Sequence, residues 1–136
     1  MKLKADKNFI PCPVSDGDEF YSNGIFVFNI TKMTEYIMDN PEIFIPEEVV
    51  VKDLHKFLFI NESQVDTVDI SKPVIMAEIS PSRFNLIDGQ HRIEKAHRLG
   101  IKTIMAYRLN VHQHIKFLTS RKAYEAYVEY WNSKIG

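Results

Sequence analysis

The sequence predicts an α+β fold: a small mixed sheet with packed helices and an amphipathic C-terminal helix. Three observations predict it. Short apolar runs at Pro73 to Ile79, at Phe84 to Ile87 and at Thr103 to Tyr107 read as strands. Two stretches carry helical spacing instead, one with Ile93, Ala96 and Leu99, the other with Tyr124, Tyr127, Val128, Trp131 and Ile135. With 136 residues, 45% hydrophobic and 12% aromatic, the chain suffices for one ordinary core over 1-136 and is short for two domains.

Met1 to Glu19 is polar, with prolines at 11 and 13 and an Asp16-Gly17-Asp18 turn, and reads as an irregular arm. No calcium-loop spacing continues from that turn. Ile25-Phe26-Val27-Phe28 follows a Ser22-Asn23-Gly24 turn as a strand. Asn29 or Thr31 then caps a helix with Met33, Tyr36 and Ile37 on one face, ending before Pro41. Val49-Val50-Val51 favours a strand by β-branching, and Leu54, Phe57 and Leu58 suggest a short helix after Asp53. Asn61 to Asp69 is polar and reads as an exposed connection. Pro73 suits a strand start because it lacks the ladder donor, and Ser80-Pro81-Ser82 turns that strand into a hairpin with Phe84 to Ile87. Asn110 caps a further helix with Val111, Ile115 and Leu118 on one face. His112 and His114, at i and i+2, point in different directions with no third ligand in step, so they read as structural or solvated, as does His97; His55 shows no partner. The last helix, Ser120 to Ile135, packs its stripe on the chain's own sheet or offers it to a partner.

The stretch that carries chemistry is Asp88-Gly89-Gln90-His91-Arg92. Asp-Gly after a strand is a tight turn, and the helix that follows ends at Gly100, with Glu94 and Arg98 as an i,i+4 pair. A helix opening straight from glycine leaves its first amides unpaired at the positive end of its dipole, beside His91 and Arg92. Asp88 either caps those amides, through Gln90 or His91, or leaves them open to an anion. The residues alone keep both readings.

Leu86 to Arg92, followed by Ala96, Leu99-Gly100-Ile101 and the strand Thr103 to Tyr107, resembles the signature segment of the ParB/sulfiredoxin superfamily, and Lys72-Pro73-Val74-Ile75 resembles the short strand that precedes it. The resemblance runs from about Lys72 to Leu109 and implies a single ParB/sulfiredoxin-like domain. It also implies nucleotide or phosphate binding by Gly89, Gln90, His91 and Arg92, with His91 bonding a phosphoryl oxygen or moving a proton and Asp88 orienting the loop or binding Mg²⁺. ATP, ADP or CTP are the implied nucleotides, and an NTP-dependent phosphotransferase or an NTPase the implied activity. Gln90 stands where sulfiredoxins carry their reactive cysteine, which excludes that reductase chemistry because an amide is no sulfur nucleophile. Gln90 and His91 also depart from the Gly-Glu-Arg-Arg of chromosome-partition ParB proteins, and the residues that follow are few for a helix-turn-helix domain. A kinase branch of the superfamily uses a carboxylate base from the N-terminal part; the pool here is Glu35, Glu42, Glu47, Glu48, Glu62, Asp66 and Asp69.

Composition bounds the rest. A formal net charge of -1 gives no overall attraction to nucleic acid or anionic membrane, so direct sequence-specific DNA binding is not expected and anion recognition must be local. The single cysteine, Cys12, argues against a disulfide scaffold and suits a cytoplasmic protein. No apolar run reaches membrane-spanning length. No resident metal site is expected. The competing functional class is a non-enzymatic regulatory or DNA-associated accessory module, working through a protein partner or a homodimer formed by the C-terminal helix.

Overall fold

A computed structural model describes residues 1–24 and 26–135. The α+β class is borne out by two sheets. Strands β1 (Phe20–Asn23) and β2 (Phe26–Asn29) form an antiparallel hairpin. Four more, β3 (Glu47–Val50), β4 (Val74–Ser80), β5 (Arg83–Asp88) and β6 (Thr103–Leu109), make a mixed sheet in the order β3-β6-β4-β5. Only β4 and β6 run parallel, with Val74 opposite Ala106 and Ala77 opposite Leu109. The expected β4–β5 hairpin is present, its turn closed by Ser82 at φ +64°.

The sheet is covered on both faces, and β4 shows why its sequence is apolar from Val74 to Ala77. Ile75, Ala77 and Ile79 enter one core with Phe28, Met33, Ile37, Tyr127 and Trp131, while Val74 and Met76 enter a second core with Ile93, Ala96, Ile104 and Ala106. A central strand buried on both faces cannot alternate with polar residues. The first core is built by helices α1 (Ile30–Asp39) and α6 (Arg121–Ser133), the second by α4 (Gln90–Arg98). Asn29 caps α1 by accepting from the Lys32 amide, and Ser120 caps α6 by accepting from Ala123.

The N-terminal arm is irregular as expected, yet it is stitched to α6. Leu3 exchanges two bonds with the Asn132 side chain, Trp131 Nε1 donates to the Met1 carbonyl, and Phe9 stacks on Tyr124 with ring centroids 4.0 Å apart. Among the described residues no helix is long and apolar enough to cross a membrane.

Several local expectations change. Strand β1 was not foreseen, and Ile25 of the expected strand lies outside the described residues. The short helix after β3 is only α2 (Val51–Leu54); Phe57 and Leu58 lie beyond it, because the backbone already leaves the helical path at His55, with ψ 68°. The connection from Asn61 to Asp69 contains helix α3 (Glu62–Val65), capped by Asn61 and anchored by a buried Val65. Leu99 is 61% exposed, since the helix ends at Arg98 and Gly100 reverses the chain at φ +72°. After Asn110 there is one turn, α5 (Val111–His114), followed by a 3-10 turn, Ile115–Phe117. His114 is fully buried there, its Nε2 donating to the Glu78 carbonyl at 2.6 Å.

Candidate functional site

Strand β5 delivers Asp88 to the end of the sheet, and Gly89 turns the chain into α4 at φ +109°, a conformation that side chains resist. A Cβ on Gly89 would lie 2.4 Å from Val74 Cγ1 and 2.8 Å from Val74 Cβ. Close approach to β4 therefore demands glycine at this corner as strongly as the turn does. The first bond of the helix runs from Ile93 N to Gly89 O at 3.0 Å, and no side chain caps the end. The amides of Gln90, His91 and Arg92 accordingly lack partners within α4 and sit at the positive end of its dipole.

Asp88 does not cap, because its carboxylate is turned to Arg92 Nη2 at 2.9 Å. The same guanidinium donates through Nη1 to the carbonyls of Lys72, at 3.1 Å, and Pro73, at 2.6 Å. Arg92 thus clamps the lead-in of β4 to the turn and neutralises Asp88. The charge of Asp88 beside the helix end is thus compensated locally. The side chains of Gln90 and His91 reach into the preceding loop. Gln90 Oε1 accepts from the Phe59 amide, and His91 Nε2 from the Asn61 amide, both at 3.0 Å. Lys95 Nζ donates to the Asp66 and Val68 carbonyls, and Arg98 bridges Glu62 and Glu94. His55 is not without a partner: its Nε2 lies 3.1 Å from Glu94 Oε1 and its ring stacks on His97 at 3.7 Å. Desolvation raises the Glu94 carboxyl, but hydrogen bonds from His55 and Arg98 prevail and hold it below the usual carboxylate range.

The corner opens into a cavity of about 1080 Å³. Its walls are the β1 hairpin, the loop after α2, strand β5 and the first turn of α4, so Asp88, Gly89, Gln90, His91 and Arg92 all line it. None of the seven carboxylates in the sequence-derived pool does. Glu62 is bridged to Arg98 and Glu47 to Arg108. The carboxylates that share the cavity with Asp88 are Glu19 and Asp53, missed because β1 and the segment after β3 are brought to β5 only by the fold. Phe57 and Phe59 stand at its rim, 94% and 84% exposed. No group of three or more His, Cys, Asp or Glu among the described residues forms a metal-binding cluster. No family model, curated protein or solved structure matches the chain.

Proposed function

We propose that the chain is a ParB/sulfiredoxin-like domain that binds the phosphate of a nucleotide at the amino end of α4. One observation carries the reading: three helical amides without a side-chain cap open into the cavity, beside a carboxylate whose repulsion is offset by its guanidinium partner. In this role Gly89 lets the phosphate approach the backbone, Gln90, His91 and Arg92 contribute amides, and Arg92 acts mainly by fixing the turn. Phosphoryl transfer or hydrolysis extends the reading. Glu19 and Asp53 line the same cavity, and Mg²⁺, commonly held by one or two carboxylates plus the substrate, would enter with the nucleotide's phosphates. His91, with Nε2 bonded to the loop, has Nδ1 left for an exchangeable proton.

The test is a thermal-shift panel of ATP, ADP, CTP and GTP, each with and without Mg²⁺. At a hundredfold excess over Kd a binding nucleotide adds about 2.7 kcal/mol of stability and raises Tm accordingly. Asp88→Asn leaves the Arg92 charge uncompensated, so its nucleotide-dependent shift should exceed that of the unaltered protein. Silence across the panel, or a shift unchanged by Asp88→Asn, overturns the proposal.

A further inference from the structure

We propose that residues 55–61 form a lid over this cavity, latched by the neutral imidazole of His91 and released when that ring takes up a proton. The lid's tip has little to hold it. Phe57 and Phe59 project to solvent, Phe57 adopts φ +54°, a left-handed conformation a bulky side chain enters only under constraint, and Leu58 alone turns toward the second core. The constraint comes from α4. At one end of the lid His55 bonds Glu94 and stacks on His97; at the other, the amides of Phe59 and Asn61 donate to Gln90 and His91.

The two histidines respond oppositely to acid. An amide N–H pointing at His91 Nε2 from 3.0 Å requires a lone pair there, which places the ring's proton on Nδ1. Protonation of Nε2 sets two donors face to face and turns the bond into a repulsion. His55 faces a carboxylate, so proton uptake strengthens its contact. Proton uptake at Nε2 therefore frees the Asn61 end while the His55 end holds, and the lid swings open about His55.

The charged and titratable groups on the elements packed around His91 are Arg92, Glu94, Lys95, His97 and Arg98 on α4, Arg83 and Asp88 on β5, Tyr107 and Arg108 on β6, Glu62 on α3, Lys52 and Asp53 on α2, and His55 and Lys56 in the lid. Asp88 is bridged to Arg92, Glu62 to Arg98, and Glu94 to His55 and Arg98. Asp53 and Lys56 carry opposite signs. None of these groups takes the acceptor place that Nε2 fills.

The inference goes beyond phosphate binding and stands or falls in the ligand-free protein. Amide hydrogen exchange of the full chain, corrected for the intrinsic pH dependence, is followed by NMR at pH 5 and pH 8, with the Ile93 amide inside α4 as internal reference. Protection at Asn61 should fall about tenfold at the lower pH, the scale of one lost hydrogen bond, while Ile93 stays protected. His91→Gln, an acceptor that does not titrate, should keep Asn61 protected at both pH values. Equal protection of Asn61 at the two pH values in the unaltered protein, or a fall that persists in His91→Gln, overturns the proposal. Should His91→Gln fail to fold, the ¹⁵N shifts of His91 in the unaltered protein decide: a proton on Nε2 at pH 8 overturns the latch, and a proton on Nδ1 supports it.

Discussion

Helices α6 and α4 sit in the two cores of one sheet, yet they are held by different physics. α6 is fixed by an apolar stripe: Tyr124, Tyr127, Val128 and Trp131 are all buried, and Tyr127 has no exposed surface. α4 buries only Ile93 and Ala96 and otherwise binds through Gln90, His91, Glu94, Lys95 and Arg98, which together hold the segment from His55 to Val68. Dispersion and desolvation need only volume and are satisfied across a wide face. Side-chain to backbone hydrogen bonds need an individual partner at an individual distance. Both helices also make directed bonds, α6 to the N-terminal arm and to the Glu78 carbonyl, but those of α4 hold the loop at the candidate site, and two of them run through histidines.

Substitutions can break that contrast in graded ways. The largest effect is expected at α6, where Tyr127→Ala empties a site at the centre of the first core and should cost about 4 kcal/mol in a urea denaturation series. A cost under about 1 kcal/mol would mean that the stripe is not what fixes the helix.

Beneath α6 lies His114, edge-on to Tyr127 and without a partner at Nδ1. Burial pushes its imidazole down to about 4 from an ordinary 6.5. The unfolded chain therefore binds the proton that the fold refuses between these values. Stability is complete above about pH 6.5 and falls as pH drops toward 4, by an amount on the order of 3 kcal/mol. Chemical denaturation at a series of pH values should show this slope, and His114→Gln should flatten it.

At α4 the effect is smaller and local. Gly89→Ala meets both a left-handed backbone and the Val74 side chain, and about 2 kcal/mol is expected. Gly100→Ala, left-handed but with open space around it, should cost less. Equal costs at the two glycines would show that conformation alone, and not the approach to β4, constrains the corner.

The order of legibility follows the same division. Apolar spacing exposed the β4–β5 hairpin, α6, and the buried Ile93 and Ala96 of α4, and the Asp88-Gly89 corner was readable because glycine after a strand has few other uses. Helix α3 went unread because its only buried anchor is the single Val65 in a polar run. His55 showed no partner in the sequence because Glu94 lies 39 residues away and His97 further still. The pool of candidate carboxylates missed Glu19 and Asp53, since membership of the cavity depends on which loops fold over β5.

By itself the sequence determined the α+β class, the strand-turn-helix at Gly89 and the apolar stripe of α6, because periodicity and glycine conformation are local properties of a chain. Only the tertiary structure decided that Arg92 clamps Asp88 and the Lys72 and Pro73 carbonyls, that Gln90 and His91 hold the loop before them, and which carboxylates face the cavity. Those choices are made by donors and acceptors 19 to 31 residues apart finding one another at hydrogen-bond distance, or, for Arg92 and Asp88, by which rotamer wins, and no local pattern encodes them.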